Sequence, residues 1–394
     1  MEPEDRWHLC FPQLPNISCR KPSSEDSEDV FFRVLLPVEC VATVLLNLLV
    51  IVSISHFRHK FLFFSVTLGG CFSVLARFSA CVAFEDVQCL AGKWFRDCVV
   101  CINDVFFFFL LSLLFFFVLV RRQLHTPTNL VLLSLAVADF LVGSVSMPKE
   151  IYKNASCWFL GDVMCSLWNY VIFISSVASV GNIVLISADR YVAICDPLRY
   201  KVKVTVKRVQ LCVCLCWLTA VLHCGIVLMD QLAHPGMYNS CLGECVIGFE
   251  FYGGLLDLVV CFVLPLGVII ALYMRVFAVA VSQARAVRSH VRCLKLQRRG
   301  PFGTRTSEMK AAGTLGLLVL VFLACFCPYF IVNLVAENST TASVGKYVLY
   351  LYDFNSCVNP LIYALFYPWF RRAAKHIVTL RILRPGSREA SNIL

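Results

Sequence analysis

Apolar residues in this chain come in long, nearly unbroken runs separated by short polar segments. Such runs fall at Val34–His56, Thr128–Ile151, Met164–Cys195, Val209–Met229, Phe249–Val281, Met309–Ala336 and Val344–Phe366. A stretch of about twenty apolar residues is long enough to cross the hydrocarbon layer as a helix, and is too long for an ordinary buried strand. The pattern therefore predicts an all-α membrane protein, a seven-transmembrane helix bundle. After the last run, Tyr367-Pro368-Trp369-Phe370-Arg371-Arg372-Ala373-Ala374-Lys375 puts apolar and basic residues on opposite faces of a short amphipathic helix (helix 8) suited to the inner membrane surface and its lipid. The parts are then residues 1–33, a polar N-terminal segment; 34–57, the first span; 123–375, spans two to seven with the short helix; and 376–394, a tail.

Residues 59–122 break this order as an anomalous apolar insert after helix 1. They carry two further apolar runs, Phe61–Phe84 and Val99–Val120, the second made almost wholly of Phe, Leu, Val and Ser. Phe, Leu and Ser have pyrimidine-rich codons, so the stretch has the character of a translated intron that ends in a pyrimidine tract. The other reading is a pair of extra spans, which preserves the orientation of everything downstream.

Composition agrees with a membrane chain. It is 59% apolar and 15% charged, with 32 Phe, whereas soluble domains run nearer half apolar and a quarter charged. The net charge of +10 is no sign of nucleic acid, because the basic residues lie in loops beside apolar runs. The loop Ser282–Lys310 holds Arg285, Arg288, Arg292, Lys295, Arg298, Arg299, Arg305 and Lys310 against the single acid Glu308. That excess marks the cytosolic side. The glycosylation sequons at Asn16, Asn154 and Asn338 all fall in segments on the other side, so the N-terminus is expected outside and the chain in the plasma membrane. No early apolar core precedes residue 30, so the first span is expected to serve as the membrane address.

Most of the 22 Cys lie inside apolar runs and read as small apolar residues. Cys10, Cys19, Cys157, Cys165, Cys241 and Cys245 lie in polar segments and are the disulfide candidates. No HExxH, Walker A or paired CxxC pattern is present, and no catalytic constellation stands out, so an enzyme is not expected and no metal or cofactor is called for.

At the inner end of the third run stands Ser187-Ala188-Asp189-Arg190-Tyr191-Val192-Ala193-Ile194-Cys195-Asp196-Pro197-Leu198, and at the end of the seventh Asn355-Ser356-Cys357-Val358-Asn359-Pro360-Leu361-Ile362-Tyr363. Both resemble the rhodopsin-like G-protein-coupled receptors. More specific strings narrow the likeness: Leu9-Cys10-Phe11-Pro12 with Asn16-Ile17-Ser18-Cys19, Gln123-Leu124-His125-Thr126-Pro127-Thr128-Asn129, Lys310-Ala311-Ala312-Gly313-Thr314-Leu315-Gly316, and Tyr367-Pro368-Trp369-Phe370-Arg371. With Cys241-Leu242-Gly243-Glu244-Cys245, they look like the trace amine-associated receptors, in particular fish members that place the amine-pairing Asp on span five.

That resemblance implies a receptor for small-molecule amines, diamines and polyamines included, of olfactory type, raising cAMP through a stimulatory heterotrimeric G protein. It also implies a Cys165–Cys245 disulfide, and a second from Cys241 to Cys10 or Cys19. Asp189, Arg190, Tyr191, Tyr273, Asn359, Pro360 and Tyr363 match switch and coupling positions, with Glu308 as a partner for Arg190. Asp139, Ser179, Asn355, Ser356 and Asn359 match a buried cluster for an allosteric sodium ion; a water-filled polar network is the plainer reading.

The ligand site departs from the usual aminergic pattern. An acid is expected in span three, eighteen residues before Arg190, and Ile172 stands there. A protonated amine inside a bundle needs a carboxylate to offset desolvation. Asp257, which interrupts an apolar run on span five, is the substitute counter-ion. Asp353 on span seven is a second acid, placed to hold a second ammonium. Trp168, Phe173, Phe326, Tyr329 and Phe330 are candidates for cation–π contact, against the plain alternative of helix packing. Two other readings remain: a receptor of the same fold for a non-amine ligand, and a transporter or channel, for which internal repeats are expected and none is visible.

Overall fold

The computed structural model describes residues 7–22, 27–56, 126–155, 157–293, 305–335, 341–366 and 368–379. The insert 59–122 and Asn338 lie outside the described residues.

The expected bundle is present. Span one is α1 (Ser27–His56). Span two is α2 (Pro127–Leu141), a π-turn at Val142–Ser146, and α3 (Met147–Ala155). Span three is α4 (Asp162–Cys195); a short α5 (Tyr200–Lys203) follows in the loop. Span four is α6 (Val206–Val227), then the short α7 (Met229–Ala233). Span five is α8 (Phe251–Leu258), a π-turn at Val259–Val263, and α9 (Leu264–Cys293). Spans six and seven are α10 (Arg305–Val335) and α11 (Thr341–Phe366), and α12 (Pro368–Val378) is the short terminal helix. Each span packs on its sequence neighbours, span one closes on span seven, and span three also touches spans five and six from the centre.

The π-turns have a covalent cause. Proline lacks an N–H and crowds the carbonyl of the preceding turn. Pro148 and Pro265 each lie just past a π-turn, which takes up the misfit by adding a residue to one turn. In span two the altered turn offers carbonyls to neighbouring helices. The Cys40 thiol donates to the Gly143 carbonyl at 3.2 Å, and the Trp168 indole N–H to the Val145 carbonyl at 2.9 Å.

Spans two and three form the buried centre, with Leu130, Leu133, Ala138 and Ile183 fully enclosed. Two polar pairs cross between helices in the core: the Trp217 indole donates to Ser134 Oγ at 3.0 Å, and the Asn47 amide on span one to the Ser356 carbonyl on span seven at 2.9 Å. Span five is the opposite case. Leu255, Leu256, Val263, Leu264, Val268 and Ile270 point outward and are exposed. An apolar surface of that extent is abnormal in water and normal against hydrocarbon. Among the described residues, five helices are long and apolar enough to cross a membrane.

The sequence reading placed no strand in the N-terminal segment. The structure has an antiparallel pair there, β1 (Trp7–Leu9) with β2 (Arg20–Pro22). Its closing contact is Cys10 N–H to the Cys19 carbonyl at 2.9 Å. The hairpin is then laced to the second outer loop, Leu242 N–H donating to Ile17 and Cys19 N–H to Leu242.

Candidate functional site

Toward the outer half of the bundle, spans two, three, five, six and seven wall a cavity with roughly 660 Å³ of space not filled by protein atoms, part of it open to solvent. Asp257 from α8 and Asp353 from α11 both line it, as do Ile172, Phe173, Phe326, Tyr329 and Phe330. Of the predicted ligand residues Trp168 alone is absent from the lining. Its indole is engaged by the span-two carbonyl, and its ring packs edge-on against Trp158 at 5.8 Å. In the structure it therefore sits between Trp158 and span two rather than in the cavity wall.

The aromatic wall is continuous. Tyr352 is central to it, with ring centroids 4.3 Å from Phe326 and 4.8 Å from Tyr329, while Phe330 stacks on Phe262 at 4.7 Å. Tyr352 escaped the sequence reading because one more aromatic on an apolar span carries no mark of its own. Its hydroxyl hydrogen-bonds Ser176 on α4 and so ties span seven to span three.

Neither acid is bare. The His223 ring on α6 brings Nε2 within 3.1 Å of Asp257 Oδ1 and 3.4 Å of Cys261 Sγ. His223 is buried, and the sequence reading passed over it although an ionisable residue inside a membrane helix is a functional candidate by default. Asp353 is buried and accepts from the Ser146 hydroxyl at 3.4 Å through Oδ1. Its Oδ2 has no hydrogen-bond partner among the described residues. Lys149, likewise buried and unremarked in the sequence, lines the same cavity and donates to Asn169 Oδ1.

Deeper in, the residues matched to a sodium cluster converge. Asp139 is fully buried; its Oδ1 accepts from Ser179 Oγ and Ser356 Oγ, each at 3.0 Å, and its Oδ2 from the Asn359 amide at 2.8 Å. Asn359 Nδ2 is also 3.5 Å from Asn355 Oδ1. Asn359 Oδ1 is buried with no hydrogen-bond partner among the described residues. Hydroxyl, amide and carboxylate oxygens around one carboxylate are the donor set a hard monovalent cation takes, so the residues fit the ion.

At the inner end Arg190 folds back on its neighbour. Its guanidinium pairs with Asp189 Oδ2, and Nη2 donates to Thr128 Oγ1 at 2.8 Å. Tyr200, in the loop helix, donates its hydroxyl to Asp189 Oδ1 at 2.8 Å, and burial raises that phenol above its ordinary range, which keeps the proton on it. Thr128 and Tyr200 were not singled out in the sequence. Tyr363 and Pro360 are in α11 near the same end, Tyr363 buried; Tyr191 and Tyr273 are half-buried. The side chain of Glu308 lies outside the described residues, and with it the pairing expected with Arg190.

Disulfides join Cys165 to Cys245, Cys19 to Cys241 and Cys10 to Cys157. The first matches the expectation, and the second selects Cys19 from its two alternatives. The third pairs Cys10 with a candidate cysteine that had no assigned partner. Gly243 permits the crossing: its φ is +102°, and a Cβ there would lie 2.8 Å from that of Cys10. Asn16 is exposed on the turn before Ser18, and the Asn154 side chain lies outside the described residues.

Residues 110–363 match the family described as 7 transmembrane receptor (rhodopsin family). The match starts within the insert, so α1 is outside it even though α1 packs against spans two and seven. The chain is 35% identical over 279 residues to trace amine-associated receptor 1 of Mus musculus, covering 68% of this chain and 83% of that receptor. It is 33% identical over 277 residues to trace amine-associated receptor 1 of Macaca mulatta, covering 68% and 82%. To trace amine-associated receptor 13c of Danio rerio it is 35% identical over 277 residues, covering 68% and 80%.

Proposed function

This chain belongs to the trace amine-associated receptors of the rhodopsin family, and from that premise we propose that it is a cell-surface receptor for small organic amines, with Asp257 as the ammonium's counter-ion. The observation that carries the reading is a carboxylate opening into an aromatic-walled cavity while the span-three position opposite is Ile172. An ammonium leaving water needs an opposite charge and gains further from ring faces; Phe326, Tyr329, Phe330 and Tyr352 supply them. Asp353, whose Oδ2 has no hydrogen-bond partner among the described residues, lines the same cavity and takes a second ammonium, which makes diamines and polyamines the preferred class.

Amine binding draws spans five, six and seven together around the cavity and loosens the inner end, where Arg190 leaves Asp189 and Thr128 to meet a stimulatory G protein and raise cAMP. Asp139, Ser179, Asn355, Ser356 and Asn359 hold a sodium ion that favours the closed inner end. Disulfides from the N-terminal segment support an outside N-terminus, because they form in oxidising compartments. The olfactory assignment rests on the family resemblance alone.

The test is cAMP in cells expressing the receptor, titrated with mono- and diamines. Removing one partner of a buried ion pair costs roughly 3–5 kcal/mol. Asp257→Ala is therefore expected to weaken every amine by about 100-fold or more, and Asp353→Asn to weaken diamines selectively. Unchanged amine potency in Asp257→Ala removes the assignment. One observation favours a second reading: His223 already satisfies Asp257, as suits a non-amine ligand. In that case the active compound is uncharged and Asp257→Ala leaves its potency alone.

A further inference from the structure

His223, Asp257 and Cys261 converge from two spans, and amine binding uses only the acid. Their donor atoms, Nε2, Oδ1 and Sγ, all lie within 4.8 Å of one another, with Nε2 at 3.1 Å from Oδ1 and 3.4 Å from Sγ. Donors bound tetrahedrally at about 2.0–2.3 Å from a zinc ion are themselves roughly 3.3–3.8 Å apart. The side chains are thus nearly in coordinating positions. We propose that His223 Nε2, Asp257 Oδ1 and Cys261 Sγ form a binding site for a zinc-class divalent transition metal between spans four and five.

The donor types point to that class. Imidazole nitrogen and thiolate sulfur suit zinc; magnesium and calcium ask for oxygen throughout. Charge agrees. A neutral imidazole, a carboxylate and a thiolate together cancel the ion's two positive charges, so the complex is neutral where an uncompensated charge is most costly. Metal entry displaces the Cys261 thiol proton to water through the cavity, and leaves the His223 ring with its lone pair on Nε2.

The coordination has room for one more group. Asp257 and Cys261 line the cavity, so the remaining tetrahedral position faces it and takes water or a ligand's own nitrogen or sulfur. Asp257 and Cys261 are four residues apart on span five, so they share a helix face, and both meet His223 of span four. A second group of donors, Cys19, Cys241 and Glu244, lies at the outer loop, but its sulfurs are consumed in a disulfide and offer no thiolate. The site stands whether or not Asp257 is also the amine's counter-ion.

The experiment uses the full-length receptor purified into lipid nanodiscs, without amine, titrated with Co²⁺ as an optical stand-in for Zn²⁺. The wild type is expected to show a thiolate-to-cobalt charge-transfer band with tetrahedral visible bands, displaced by Zn²⁺. Cys261→Ser is expected to lose the charge-transfer band, and His223→Ala to weaken Co²⁺ binding at least about tenfold. Cys224→Ser, which removes a buried neighbouring thiol on α6, is expected to keep the band. Thermal unfolding without metal shows which variants are folded, and Zn²⁺ raises the midpoint of the wild type and of Cys224→Ser only. The proposal is overturned if the wild type shows no charge-transfer band, or if the band persists undiminished in both Cys261→Ser and His223→Ala. Because no amine is present, these outcomes are independent of the amine reading.

Discussion

His223 shows how much a single residue alters the picture. In the sequence, Asp257 stood out because an acid interrupts an apolar run; His223 was one letter in another run, thirty-four positions away. Only the packing of span four on span five joins them. The same holds for Tyr352 and Ser176, and for Tyr200 and Asp189. Asp257 and His223 are both readable by chemical type, as ionisable residues in apolar spans, whereas their pairing is not. Asp139, Ser179, Asn355, Ser356 and Asn359 were named beforehand through the family resemblance, and the structure brings them together. Replacing Asp139 with Asn keeps one acceptor oxygen for Ser179 and Ser356, turns the other into an N–H donor facing the Asn359 amide, and removes the negative charge a sodium ion would pair with. The expected outcome is that sodium no longer shifts agonist affinity, checked by radioligand competition with and without NaCl. Gly243→Ala is expected to lower thermal stability by about 1–3 kcal/mol, since a side chain at positive φ is strained and its Cβ meets Cys10; thermal unfolding of the detergent-solubilised receptor measures it.

Elements were legible where the signal was length and apolar content. Every span forms, and the expected boundaries differ from the observed helix ends by several residues because helices continue past the apolar core. The π-turns were not foreseen. A sequence shows Pro148 and Pro265, and either a kink or an inserted residue accommodates a proline. Which one occurs depends on neighbours able to use the displaced carbonyls, and in span two Cys40 and Trp168 do so. This gives a direct test of Trp168. Trp168→Phe keeps an aromatic, though smaller, side chain and deletes the donor, leaving the Val145 carbonyl without the indole at a cost of about 1–3 kcal/mol. The expected result is a lower unfolding midpoint with the order of amine potencies unchanged. A large selective loss for one amine would instead put Trp168 back among the ligand contacts.

For the whole molecule, the described helices make a closed bundle, with span one against spans two and seven. Most of the insert 59–122 lies outside the family match, which begins at residue 110. If it is a retained intron, transcript sequencing is expected to find a message in which codon 58 joins codon 123. A receptor with 59–122 deleted is then expected to reach the cell surface at higher level than the full-length form. If it is a pair of true spans, deletion traps the protein inside the cell. The disulfide-linked crown is a feature of the entire chain as well. Its disulfides close loops of 147, 222 and 80 residues, so each reaches between parts that no local signal connects. They also make the hairpin of residues 7–22 a covalent part of the loops that hold Cys157 and Cys241, independently of the peptide link to span one. Should a protease nick the chain between Pro22 and Ser27, an affinity tag fused ahead of Trp7 would remain on the cell and still stain it. It would wash away only after treatment with a thiol reductant.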